Sequence, residues 1–360
     1  MANGRICQAR STVAGSMATS TALPRPGNHR ISRGVDRQPY ANADATLRSL
    51  AGAAEGFGSQ CIGGRDGEIF TVTSLADSGP NTLRDACKHK AAARWIVFAI
   101  SGTICLSSPI RVPSFTTIDG RGQRVVIQGA GLQLRGSQHV ILCCFLLTGG
   151  RGHDADAIQM KPQVAHVWVD RCALTDYDDG LIDITRGSTD VTISRCHFYN
   201  HDKTMLIGAD PKHTEDRDIR ATIHHCFFDG TRQRHPRVRF GKVHLYNNYT
   251  RDWGVYAVCA SVEAQVFSQN CIYEAGKKKK TFEYYSEQAP DRAEPASGSL
   301  KSQGDLFLNG AQGKEQGSEG VFDPGHVYSC DWSLWGQCSR EAVVACAGWQ
   351  DVPLPADTSA

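Results

Sequence analysis

The chain of 360 residues contains no apolar run of about 18 residues, the length a membrane-spanning helix needs, so such a span is excluded. It also lacks an excess of charge of either sign. The formal net charge is +2, and no global field directs it to nucleic acid or to a membrane surface. No acidic side chain precedes Asp36, and residues 1–38, rich in Arg, Ser, Thr and Ala, carry no hydrophobic h-region. That excludes a secretory signal peptide. The composition fits an organellar transit peptide, a disordered tail or a start set too far upstream, and the compartment stays open. Fourteen cysteines occur without one CxxC pair, which argues against a zinc site.

What is present is a repeat. Val167-Trp-Val-Asp-Arg-Cys172, Val191-Thr-Ile-Ser-Arg-Cys196 and Ala221-Thr-Ile-His-His-Cys226 are near-copies of one short, alternating strand that ends in cysteine. Val140–Phe145, Val243–Asn248 and Gln265–Asn270 fit the same frame. The column then reads Phe145, Cys172, Cys196, Cys226, Asn248, Asn270, with steps of 27, 24, 30, 22 and 22 residues. A period in the twenties that carries strands and no helical pattern indicates a solenoid with strand stacked over strand, an all-β parallel β-helix. Side chains in one column run parallel at roughly the 4.8 Å strand spacing, so the cysteines are expected as buried free thiols.

Four segments follow from this reading. Residues 1–38 form the tail, 39–276 the β-helix, 277–320 a polar Gly/Ser-rich loop region, and 321–360 a C-terminal segment packed on the helix. Asn81 or Thr82 can cap a short helix with Leu83, Ala86, Cys87 and Lys90 on one face, placed to cover the open end of the first coil. Ser339 caps a second small helix that ends near Gly348 and is expected to dock through Trp349.

Residues one coil apart project from the same face. A step of 27 carries Asp156 onto Asp183, and a step of 24 carries Asp179 onto Lys203. A further 30 reaches Gln233, beside Arg234. Asp154 shares a face with Asp156, and Asp179 shares one with Asp183. Uncompensated carboxylates repel one another, so Asp154, Asp156, Asp179 and Asp183 together mark a hard-cation site suited to Ca²⁺. Arg232, Arg234, Arg237, Arg239 and Lys242 lie within eleven residues and form an anion site for polyuronate, phosphate or a protein carboxylate.

Ala54-Glu-Gly-Phe-Gly58, Thr117-Ile-Asp-Gly-Arg-Gly122, Val167-Trp-Val-Asp170, Asp179-Gly-Leu-Ile-Asp183, Gly187-Ser-Thr189, His201-Asp-Lys203 and Arg234-His-Pro-Arg-Val-Arg239 jointly resemble pectate lyases of polysaccharide lyase family 1, in the plant branch. The resemblance implies a right-handed single-stranded parallel β-helix with a short N-terminal capping helix. It also implies Ca²⁺-dependent β-elimination of α-1,4-linked polygalacturonate. Position by position, it implies Asp156, Asp179 and Asp183 as Ca²⁺ ligands, Lys203 and Arg239 as substrate-binding residues, and Arg234 as the base; the chemistry of the carboxylate cluster adds Asp154 as an outer or second ligand. A guanidinium is almost wholly protonated at neutral pH, so activity should rise toward alkaline pH.

Three positions depart from the family pattern: Arg171 after Trp-Val-Asp, His235 beside Arg234, and cysteine in an inward column usually filled by asparagine. The first two bear on substrate fit and the third on the core. Asn248-Tyr-Thr250 is the one glycosylation sequon, and its inward Asn is expected to be unmodified. The partner implied is an acidic polysaccharide, with neither nucleic acid nor membrane, and the chain is expected to be a monomer. A polygalacturonase on the same scaffold and a non-catalytic polyuronate-binding β-helix are the alternatives. The first needs acid and base aspartates around a water and leaves the arginines idle.

Overall fold

In the computed structural model, residues 45–48, 50–88, 92–335 and 338–349 are described; the tail, Lys90 and the last residues of the chain lie outside them. Each coil places one strand in each of three parallel sheets. Among the described residues these have ten, nine and eight strands, and consecutive strands of a sheet come from consecutive coils. Only a parallel β-helix has this order.

The capping helix is a single turn, Leu83–Ala86, whose N-cap Thr82 accepts from Asp85 N–H. A cap of this kind contributes about 1 kcal/mol. Leu83 and Ala86 are buried in the main core with Ile96 and Ile104 from the first coil, so the open end is closed by apolar contact.

The cysteine column is real, and its hydrogen bonds run from coil to coil. Cys196 N–H points to Cys226 Sγ at 3.5 Å, Cys226 N–H donates to Asn248 Oδ1 at 2.9 Å, and Asn248 Nδ2 reaches Cys271 Sγ at 3.7 Å. The ladder then continues through Cys271 N–H to Asp305 Oδ1 at 2.7 Å. The column therefore holds Cys271 and not Asn270, because Val243 pairs with Val266, a step of 23. Asn270 turns out at φ 50° and donates instead to the carbonyl of Trp335. Asn248 is buried and bonded on both sides, which leaves its sequon no surface for a glycan. All described cysteines are free thiols.

The polar stretch 277–320 is not a loop throughout. It carries the strands Phe282–Tyr285, Ser299–Gln303 and Leu306–Leu308, which extend all three sheets. Phe282 and Leu300 point into the core while their neighbours stay polar. The step from Cys271 to Asp305 is 34 residues, and the extra length hides the repeat.

Two segments cover the outer face of the ten-stranded sheet. Phe57 and Gly58 N–H donate to Thr222 and Thr192 hydroxyls, and Tyr328 OH meets Thr222 and His244. A Cβ on Gly58 would sit 2.7 Å from Thr192 N, so the glycine is required for this close approach. The final helix, Arg340–Cys346, docks through Val343 onto Phe227, Tyr249 and Ile272, joined there by Cys338 just before the helix, and Gly348 N–H donates to the Arg195 carbonyl. Trp349 has its ring nitrogen sealed without a partner.

Candidate active site

The acidic and basic residues singled out above gather on the eight-stranded sheet and the turns that enter it, except Lys242, which starts a strand of the ten-stranded sheet. Its central strands are Ile158–Met160, Gly180–Ile184, Lys203–Ile207 and Arg237–Val238. Register decides who meets whom. Asp183 pairs with Gln159, not with Asp156, because the step between these coils is 24 in the strands although it is 27 elsewhere. Asp156 comes level with Gly180, whose N–H donates to Asp156 Oδ1 at 2.7 Å.

Gly180 is the floor of the site. A Cβ there would sit 2.5 Å from Asp183 Oδ1 and 2.8 Å from Asp156 Oδ1, so both oxygens converge on the space that the missing side chain leaves. Gln159 Nε2 donates to Asp156 Oδ2 at 2.9 Å and to Asp154 Oδ2 at 3.2 Å. Asp183 Oδ1 is sealed from solvent and has no hydrogen-bond partner. Burial, and then the charge of Asp156, hold the Asp183 carboxyl well above the usual range against the pull of Arg234. Burial also raises Asp156, despite the hydrogen bonds it accepts from Gln159 and Gly180.

The other two aspartates face lysines. Asp154 pairs with Lys161 at 2.9 Å; burial opposes its ionisation, but the lysine and Gln159 more than offset this and its carboxyl is lowered. Asp179 pairs with Lys203 at 2.8 Å, and its carbonyl accepts from His201 Nε2 at 2.8 Å. Burial lowers the His201 ring's pKa, and the bond to a carbonyl places the hydrogen on Nε2. The four aspartates are thus neighbours, but only Asp156 and Asp183 share a point. Among the described residues no three His, Cys, Asp or Glu side chains are set to hold a metal ion. The donor chemistry still suits a hard cation: all-oxygen ligands, one of them buried and unpartnered, with two carboxyls that burial pushes toward the neutral form.

The cations run across successive coils. Lys203 bridges in register to Gln233, as the step of 30 predicts, and Arg234 follows with its carbonyl accepting from Met205 N–H. Arg234 sits at φ 69°, its Nε is buried without an acceptor, and no carboxylate of the described residues pairs with it. Arg239 differs. Glu287 grips it through Nε at 2.8 Å and Nη2 at 2.9 Å, and its Nη1 donates to the carbonyls of Gly208 and Ala209. A substrate carboxylate would have to share or displace Glu287.

A family model described as pectate lyase matches residues 53–348. Putative pectate lyase 21 of Arabidopsis thaliana is 37% identical over 292 residues, 76% of this chain and 74% of that protein. The chain belongs to the pectate lyase family. It is by that membership a polysaccharide lyase. Pectate lyase 1 of Hesperocyparis arizonica is 36% identical over 301 residues, 75% of this chain and 81% of that protein. The crystal structure of Jun a 1, the major allergen from cedar pollen, matches with a TM-score of 0.72 at 30% identity, over 88% of this chain and 99% of that one. A Bacillus pectate lyase solved in complex with trigalacturonate has a TM-score of 0.62 at 21% identity, over 82% and 98%, and shares the fold.

Within this pectate lyase fold, several of the motifs serve the scaffold and not the site. Glu55 accepts from Tyr246 OH at 2.7 Å on the far sheet, and Asp119 holds Arg121 and the Trp95 ring nitrogen. Two of the departures also leave the site alone. His235 is buried against Phe228, bonds Thr231 Oγ1 at 2.6 Å, and burial lowers its pKa to about 3. Arg171 pairs with Asp170 at the end of a strand of the ten-stranded sheet. Gln159, Lys161, Gly180, His201 and Glu287 were not singled out by sequence reasoning. The first four sit one to five residues from the chosen aspartates and lysine, so scanning the flanking residues would have found them; nothing in the sequence marks Glu287.

Proposed function

We propose that this pectate lyase cleaves α-1,4-linked polygalacturonate by Ca²⁺-dependent β-elimination, giving 4,5-unsaturated oligogalacturonides, with Arg234 as the base. The observation that carries this reading is the unpaired guanidinium of Arg234, whose Nε is buried without an acceptor while it lies close enough to Asp183 to ease that carboxyl's ionisation. Asp156 and Asp183, with Asp179 and Asp154 beside them, would hold the cation. When bound, Ca²⁺ supplies a Lewis acid that withdraws charge from the C6 carboxylate and so acidifies the neighbouring C5–H.

The chain's own residues do the rest. Lys203, drawn to the rim by Asp179, offers an ammonium to a uronate carboxylate. Arg234, as a neutral guanidine, takes the C5 proton. The C5–H electrons form the C4–C5 double bond, and the C4–O bond breaks with its electron pair on the leaving sugar's oxygen, which takes up a proton from solvent. Because the base must be neutral, turnover rises toward alkaline pH.

The test is the ultraviolet absorbance of unsaturated uronide on de-esterified polygalacturonate at alkaline pH, with Ca²⁺ and then with chelator. A rise that chelator abolishes supports the reading. Reducing ends without absorbance would replace it with hydrolysis, and a flat trace from folded protein that still binds the polymer would make it a binding protein.

A further inference from the structure

The loop 286–298, which joins the strands Phe282–Tyr285 and Ser299–Gln303, is pinned at three levels. Glu287 and Ala296 exchange both backbone hydrogen bonds at 3.0 Å. Ala289 and Ala296 pack on buried Phe240 and Val262. Arg217 holds Asp291 at 2.6 Å and Glu263 at 2.7 Å, and Arg292 adds a bond to Glu263 at 3.0 Å. The loop is therefore a fixed arm, and what it presents is the carboxylate of Glu287.

That carboxylate takes both faces of an arginine fork. It meets Arg239 in two-point fashion and Arg237 at 3.0 Å, with the Arg237 guanidinium also over the Tyr285 ring at 5.0 Å. The Arg239 side chain is 11% exposed and that of Glu287 19%, so solvent screens the pair less than it screens a rim ion pair. Every nitrogen of the Arg239 guanidinium has an internal acceptor, whereas among the described residues Arg234 on the same motif has no carboxylate partner and its Nε has no acceptor. A charged uronate arriving at Arg239 meets a cation already neutralised and the oxygens of Glu287 beside it. A methyl ester carries no charge and meets no such repulsion.

We propose that Glu287 is a specificity-determining residue: it stands in for a substrate carboxylate on Arg239, so that the subsite there accepts a methyl-esterified galacturonate in preference to the free acid. The inference rests on the proposed lyase activity and names the substrate class of that site, partly esterified pectin.

The experiment compares Glu287→Gln with the parent on de-esterified polygalacturonate and on highly methyl-esterified pectin. Asp291→Asn serves as control, because it removes the same charge from the same loop without touching Arg239. In parallel, calorimetry measures equilibrium binding of trigalacturonate and of its methyl ester. The expected result is a shift of the kcat/KM ratio of about tenfold toward the de-esterified polymer in Glu287→Gln, carried by KM, with the binding ratio moving alike and Asp291→Asn unchanged. An unmoved ratio in Glu287→Gln, or an equal shift in Asp291→Asn, overturns the proposal. If the parent makes no unsaturated product from either polymer, the lyase reading fails, and the two trimer affinities still decide the role of Glu287. Should Glu287→Gln not fold, Glu287→Asp, one methylene too short for the two-point grip, is expected to shift the ratio in the same direction, and no shift there overturns the proposal.

Discussion

Asp183→Asn separates the two roles of the central carboxylate. In chelator, Asp183 is a buried acid with a sealed oxygen and a raised pKa, so the folded chain holds a proton that the unfolded chain releases. A raised folded pKa gives stability that is complete below the unfolded value of about 4 and is lost as pH climbs toward the folded one. Asparagine carries no such liability. The variant should match the parent near pH 4 and become more stable above it by about 1.4 kcal/mol per pH unit, until the folded carboxyl itself ionises. For a chain of this size that is roughly 2 °C in Tm per unit. Saturating Ca²⁺ should oppose this difference and reverse the order up to about two pH units above the unfolded value, where the penalty is still smaller than the gain. At a hundredfold excess over Kd the parent gains about 2.7 kcal/mol, about 4 °C in Tm, and the variant gains little. Thermal unfolding at several pH values, with chelator and with Ca²⁺, reads all four limbs. Parallel profiles in chelator would refute the desolvation argument, and an equal Ca²⁺ gain in both proteins would refute Asp183 as a ligand.

Three further outcomes follow from the same geometry. Gly180→Ala puts a methyl within 2.8 Å of two carboxylate oxygens and should cost about 1–3 kcal/mol in urea while removing the Ca²⁺-dependent rise in Tm. Arg234→Lys offers a compact ammonium on a different stem and should reduce turnover at least ~100-fold with an unchanged circular dichroism spectrum and Ca²⁺ affinity; full activity would remove Arg234 as the base. Asn248→Ala strips the acceptor from Cys226 N–H in mid-ladder and should lower unfolding stability by about 1–3 kcal/mol, with KM for polygalacturonate unchanged.

The order of the coils and the inward column could be read from the chain because one physical rule writes them: a residue stacked inside a β-helix must be apolar, or must hydrogen-bond the coil above or below. Cys172, Cys196, Cys226 and Asn248 obey it. The capping turn at Thr82 and the helix after Ser339 were legible for a similar reason, since a cap needs only residues within one turn of it. The aspartates and arginines of the site were also visible, as charged types recurring on one side of a repeat.

Contacts set by turn length were not visible. Connections between sheets absorb or add residues without disturbing the strands, so a step measured in one sheet fails in another. For this reason Asp156 is in register with Gly180 and not with Asp183, and Cys271 takes the place expected for Asn270. His235 turns into the core although its neighbour Arg234 lies close to Asp183 of the candidate site, which follows from backbone geometry and not from residue type. Glu287 reaches Arg239 across 48 residues, from a loop whose course is decided by Phe240, Val262 and the Arg217 ion pairs. The sequence by itself determined the repeat, the kind of core and the charges available to the site. The tertiary structure alone decided which charge neutralises which, because that depends on distances across turns of unequal length.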